Sequence, residues 1–190
     1  MSLVLLCLFD RMEKIAMKKF ELTADRIEEK GVTLHRIKAL IDFGDVKAGE
    51  LGGYVEKEEN LSQYGNAWVY RHAKVFGNAY IYGNACVCGN AEVYDDAHIY
   101  GNAEVYDDAE VYSNARICSN ADYIYLKGFG SHNRSTTIFK AKSGNICVSC
   151  GCFIGSLQEF ENKVKETHGN NKFAKEYLAL VEAAKIHFEV

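Results

Sequence analysis

Alanine recurs on a six-residue grid through the middle of the chain, at Ala67, Ala73, Ala79, Ala85, Ala91, Ala97, Ala103, Ala109, Ala115 and Ala121. Two residues after each of the first nine stands a β-branched residue: Val69, Val75, Ile81, Val87, Val93, Ile99, Val105, Val111 and Ile117. An α-helix repeats every ~3.6 residues and a coiled coil in heptads, so a period of six fits neither. A short strand that points Ala and Val inward, then turns at a Gly-Asn corner, does fit. Isoleucine stands at 81, 99 and 117 and valine at the other six positions, which adds a second period of 18. Three hexads therefore close one turn of a triangular coil, and each face meets its own kind above and below. Coils of this kind stack at about 4.8 Å through parallel backbone ladders. The expectation is a mainly β chain built on a parallel β-helix over residues 53–125. Leu61 falls in phase with Ala67, and Val55 lies one unit earlier.

Other features agree with this frame. The 190 residues contain no proline. That excludes Pro-rich linkers and suits a coil whose amides pair with neighbours on both sides. A formal net charge of −4 argues against general nucleic-acid binding and against an anionic membrane surface. Seven cysteines, an odd number, show no secreted disulfide framework, and a reduced cytoplasmic setting is expected. The apolar run Leu3–Phe9 is too short to span a bilayer and lacks the flanks of a signal peptide. Met17 is an alternative start, so residues 1–16 read as an extension.

Over residues 61–122 the repeats resemble the hexapeptide-repeat superfamily, whose members form left-handed parallel β-helices. The chain departs from that pattern by placing Tyr or Phe directly after the aliphatic residue, with Gly following. The tandem YGNA style also resembles small phage and prophage proteins in which such repeats sit between two short modules. The resemblance implies an acyltransferase using a coenzyme A thioester or an acyl carrier protein, or else a binding or scaffold protein. It also implies a homotrimer with any ligand cleft between subunits.

An uncapped coil end exposes a strand edge and an apolar floor, so both flanks read first as caps. Residues 17–52 carry strand-like stretches at Lys19–Thr23 and Thr33–Asp42 before a Gly-rich approach, Phe43–Gly53. Residues 126–190 carry a hairpin, Thr136–Lys142 and Asn145–Ser149, turned at Ser143-Gly144. Ser156-Leu157-Gln158-Glu159 is a capping box that opens a helix with Leu157, Phe160 and Val164 on one face. A second helix after Asn171 presents Phe173, Tyr177, Leu180, Val181, Ala184 and Phe188 at helical spacing.

Candidate sites fall on the coil and on its exit. An acyltransferase needs a histidine base. His98 occupies the outward position of the isoleucine face, with Tyr80 one coil before it and Arg116 one coil after. His72 only replaces a corner asparagine. The coils carry no inserted loop to shape an acceptor pocket. The segment Gly128–Thr137 concentrates Gly128, Gly130, Ser131, His132, Arg134 and Thr136, with glycine amides, hydroxyls and a guanidinium suited to an anion. It matches no phosphate-loop pattern.

Cys147-x-x-Cys150-x-Cys152 lacks a second pair, so no metal is expected. In a continuous strand Cys150 and Cys152 share a face, and buried free thiols are expected there. Trp68, Tyr70, Tyr80, Tyr82 and Tyr100 suit an interface between subunits. Glu92 and Glu110 read as a solvated face. The sequence reading is therefore a binding or scaffold protein for an anionic small ligand or a host protein, with no cofactor required. The alternative is a coenzyme A-dependent acyltransferase with His98 as base.

Overall fold

A computed structural model describes residues 18–190; the 1–16 extension and Met17 lie outside the described residues. The chain opens with an antiparallel hairpin, β1 (Phe20–Glu29) and β2 (Val32–Ala39). Lys30 and Gly31 turn it with φ of 47° and 80°, the paired positive values that match the twist of two strands. β1 runs on past Thr23 through a register shift between Leu22 and Arg26. Pairing with β2 thus overrides the poor strand propensity of Glu28-Glu29, while Asp25 falls in the unpaired irregularity.

β3 (Leu51–Val55) joins the cap to the coils: it pairs antiparallel with β2 and parallel with β5 (Lys74–Val75). Gly52 and Gly53 are buried where β3 crosses the first coil. A Cβ on Gly53 would collide with the Ala73 carbonyl oxygen, and one on Gly52 would lie 2.6 Å from that of Val69.

The coils form a three-sided β-solenoid. One face stacks β5, β8 (Glu92–Val93) and β11 (Glu110–Val111) beneath β3. A second stacks β4 (Trp68–Val69), β7 (Cys86–Val87) and β10 (Glu104–Val105). The third stacks β6 (Tyr80–Ile81), β9 (His98–Ile99) and β12 (Arg116–Ile117). Parallel register pairs Ile81 with Ile99 and Ile99 with Ile117, and all three are fully buried. The valine columns are equally closed.

Upstream the grid slips. Val55 pairs with Val75, and Leu61 bridges Ile81, so both fill the β-branched slot and not the alanine slot. Eight residues, not six, separate Leu61 from Val69, and the extra two are taken up before β4. At the other end Ala121 is exposed, in a 3-10 turn at Asn120–Asp122.

The corners repeat one conformation. Gly65, Gly77, Gly83, Gly89 and Gly101 have positive φ, and Arg71, Asp95, Asp107 and Ser113 adopt it without being glycine. At Gly89 a Cβ would sit 2.7 Å from the backbone of Asp107 in the next coil, so that corner is restricted to glycine. The neighbouring asparagines form ladders between coils, Asn66 to Asn84 to Asn102.

The outer aromatics have two fates. Phe76, Tyr94 and Tyr112 stack with centroids 5.1 and 5.7 Å apart and are buried. The tip of the N-terminal hairpin covers them, with Lys30 Nζ 4.1 Å from the Tyr94 ring. From the other end Tyr112 donates its hydroxyl to the Val148 carbonyl at 2.9 Å. Trp68 is fully buried as well, packed edge-on against Phe20 and Phe43. It is therefore capped within the chain and unavailable as an interface residue. Tyr80, Tyr82 and Tyr100 are partly exposed, with Tyr82 and Tyr100 stacked at 5.0 Å.

Glu92 is not part of a solvated face either. It accepts from Lys30 at 2.9 Å and from Lys74 at 3.0 Å, and Lys74 also pairs with Glu29. Glu110 accepts from Ser149 at 2.9 Å. Both flanks fold back onto this face and supply the partners that the repeat alone lacks.

The predicted C-terminal hairpin is part of a four-stranded antiparallel sheet: β13 (Tyr123–Phe129), β14 (Arg134–Lys140), β15 (Ile146–Cys150) and β16 (Phe153–Ser156). Its two faces serve two cores. Tyr123 and Phe139 join the solenoid, while Ile138 and Val148 face the helices. Helix α1 (Leu157–His168) starts at the expected box, with the Ser156 Oγ accepting from the Glu159 amide. Helix α2 (Lys172–Phe188) buries Ala174, Tyr177, Leu180, Val181, Ala184 and Phe188. Phe173 stays half-exposed and Ala174 takes its place. Among the described residues no helix is long and apolar enough to cross a membrane.

Candidate functional site

The loop after β13 is shorter than its composition implies. β13 and β14 pair up to Phe129 and Arg134, leaving only residues 130–133 as a turn. Thr136 is buried inside β14, where its hydroxyl donates to the Cys150 sulfur at 3.2 Å. Gly128 sits at the strand irregularity with φ of 92°. The Gly130 amide is already taken by the Glu176 carboxylate at 3.1 Å. These three residues build the hairpin, and no row of free amides results.

Ser131, His132 and Arg134 do converge, on a cleft of about 430 Å³ between the sheet and the helices. Its floor is buried and mostly apolar, with Phe160, Val164, Tyr177 and Cys150. Lys163 and His168 of α1 complete it opposite Arg134. No carboxylate is among the described lining residues, but just outside the cleft Glu166 pairs with the Lys163 ammonium at 2.9 Å and Glu176 holds the Gly130 amide.

Two glycines make room for its polar heads. A Cβ on Gly130 would collide with the Tyr177 hydroxyl, which donates to the Phe129 carbonyl at 3.3 Å. A Cβ on Gly151 would collide with the Arg134 guanidinium. The arrangement combines a guanidinium, an ammonium and two imidazoles above an aromatic floor, which suits an anionic group attached to an apolar body.

The cysteines separate. Cys147 packs toward the solenoid core and Cys150 toward the helices. Gly151, with φ of 63°, then turns the chain, so Cys152 is exposed and does not share a strand face with Cys150. Arg134 Nη1 lies 3.6 Å from the Cys152 sulfur, and this guanidinium holds its thiol below the ordinary value. The Cys-Gly-Cys spacing was the available signal, since a glycine there marks a strand break.

On the coil, Tyr80, His98 and Arg116 do form one column through successive ladder pairs. The His98 ring lies edge-on to Tyr80 and Tyr82, at 6.1 and 6.0 Å. Burial, then the neighbouring Arg116 charge, lower its pKa. Arg116 turns along the backbone, with Nη1 donating to the Asp96 and Ala115 carbonyls at 2.8 and 2.9 Å. A cavity of about 350 Å³ is lined by Arg116, Asp122, Lys140 and His187, without His98.

No family model matches the chain. Over 42 residues, 22% of this chain, it is 48% identical to a protein of Escherichia coli (strain K12) described as an uncharacterized acetyltransferase, YdcK. The matched stretch spans 13% of that relative's length. The solenoid and this similarity fit a hexapeptide-repeat β-helix.

Proposed function

We propose that this protein is a hexapeptide-repeat scaffold whose C-terminal module binds an anionic small ligand. The observation that carries the reading is the cleft in which Arg134, Lys163, His132 and His168 surround an apolar floor with no carboxylate among the described lining residues. Paired cations favour phosphate or carboxylate, and the aromatic floor favours a planar or acyl body. The solenoid is the rigid mount. In this reading the protein assembles as a homotrimer in the cytoplasm and is of prophage origin, as the tandem YGNA repeats imply. Isothermal titration of wild type and Arg134→Ala against nucleotides and acyl-phosphopantetheine compounds tests it. Binding weakened by at least about tenfold in Arg134→Ala supports the cleft, on the scale of a lost charge-assisted hydrogen bond. Null heats for both proteins remove it.

The similarity to a protein described as an acetyltransferase favours a second reading, acyl transfer from a coenzyme A thioester. His98 would then take the acceptor's proton as a neutral imidazole, consistent with its lowered pKa. The cations Arg116 and Lys140 would hold phosphates. Acetyl-coenzyme A turnover against amine and sugar acceptors decides this reading. Activity lost in His98→Ala supports it, and activity retained there excludes that residue.

A further inference from the structure

We propose that Cys152 is a thiol-exchange site: its thiolate takes up small disulfides bearing carboxylates, forming a mixed disulfide at the mouth of the C-terminal cleft. The six cysteines of the described region occupy different surroundings. Cys150 is buried. Cys86, Cys88 and Cys147 are half-buried, and burial pushes their thiols up. Cys118 and Cys152 are both exposed, but their neighbours are opposite. Cys118 sits against the Asp122 carboxylate, which raises its pKa. Cys152 sits 3.6 Å from the Arg134 guanidinium.

This placement is built into the fold. Arg134 lies across the Gly151 turn, where a Cβ would collide with Nη1 and come within 2.6 Å of Cδ. The guanidinium therefore stays beside the sulfur only because residue 151 has no side chain. The thiolate is the attacking species in exchange, so a fixed cation next to an open thiol selects the reactive one. The attack forms a bond between the Cys152 sulfur and one sulfur of the small disulfide. The old S–S bond breaks, and the other half leaves as a thiolate that water protonates. Cys150 is held back, its sulfur accepting from Thr136 and donating to the Tyr177 hydroxyl at 3.8 Å. The product is then a mixed disulfide on a single cysteine.

Reactivity rests on the Arg134–Cys152 pair. The preference for carboxylates rests on the anion-binding cleft proposed above, through His132, His168 and Lys163, whose ammonium would exchange its exposed partner Glu166 for the incoming carboxylate. The test uses the reduced full-length chain, glutathione disulfide and cystamine, with timed acid quenching and peptide mass mapping. Cys118 serves as the internal clock. Cys152 is expected to react with glutathione disulfide at least about tenfold faster than Cys118. Measured against the same clock, cystamine should show a smaller advantage at Cys152.

Arg134→Gln should slow Cys152 several-fold and leave Cys118 unchanged. Equal rates at the two cysteines overturn the proposal, as does an unchanged Cys152 rate in Arg134→Gln. If Cys152 leads equally with both disulfides, the reactive thiol stands and the carboxylate preference falls. Titrating Cys152→Ser with the anionic ligands then tests the cleft reading without the thiol. The clock and the disulfide comparison need no substitution, so a poorly folding variant does not block the test.

Discussion

Asn66 donates its side-chain amide to the Oδ1 of Asn84, 3.2 Å away and 18 residues further along the chain. Asn84 in turn donates to Asn102 at 3.1 Å. The middle member thus carries two bonds and the first only one. Each neutral bond contributes about 0.5–1.5 kcal/mol net, so Asn84→Ala should cost about 1–2 kcal/mol and Asn66→Ala about half that. Urea unfolding of the two variants checks this; equal losses would show that the ladder does not stabilise the corners.

The isoleucine and valine columns are closed on all sides, so exchanging their residues should cost stability in both directions. Ile99→Val leaves a methyl-sized void between Ile81 and Ile117 and should cost about 0.5–1.5 kcal/mol. Val87→Ile adds a methyl between Val69 and Val105, all fully buried, and should cost about 1–3 kcal/mol. Calorimetric melting temperatures of both variants against wild type provide the measurement. A stabilising Val87→Ile would show that the valine column is underpacked.

Gly53 has backbone on its Cβ side, and the Ala73 carbonyl cannot swing away without breaking the first coil. Gly53→Ala should therefore cost about 2–3 kcal/mol. Gly31→Ala, at an open turn with φ of 80°, should cost only about 1 kcal/mol. Chemical denaturation compares the two. The reverse order would mean that β3 does not hold this crossing in solution.

Lys19 is buried beneath the cap. Its ammonium donates to the Ala67 carbonyl at 2.8 Å and lies 4.9 Å from the Phe43 ring centre. Burial lowers its pKa from 10.5 to about 8. Below pH 8 folded and unfolded chains both hold the proton, and this group then opposes folding most. Between pH 8 and 10.5 the unfolded chain still holds a proton that the folded chain has released, so stability rises with pH through that window. The rise should reach up to about 3 kcal/mol relative to Lys19→Met, which lacks the titration. Parallel urea titrations of the two proteins across the window check it, and a constant difference would refute the assignment.

The hexads state which residues stack on which, because each unit repeats one local geometry and the 18-residue spacing sets the register directly. Ile81, Ile99 and Ile117 were readable as one column for that reason, and the capping box at Ser156 and the buried face of α2 were readable from helical spacing. Where the repeat lapses, the sequence misleads. Leu61 and Val55 look like alanine-slot residues, and only the two-residue slip before β4 moves them into the β-branched columns.

What only the tertiary structure decided lies where separate stretches of chain meet. Trp68 and Glu92 look exposed on a coil taken alone, and both are covered once the N-terminal hairpin folds back over the solenoid. Within Gly128–Thr137 the residue types were visible, but strand pairing buries Thr136 and commits the Gly130 amide to Glu176. The cleft itself joins Arg134, Cys152, Lys163, His168 and Tyr177 from a strand, a turn and two helices. No local period encodes such a meeting, since it depends on the space left by Gly130 and Gly151 for side chains that approach from elsewhere in the chain.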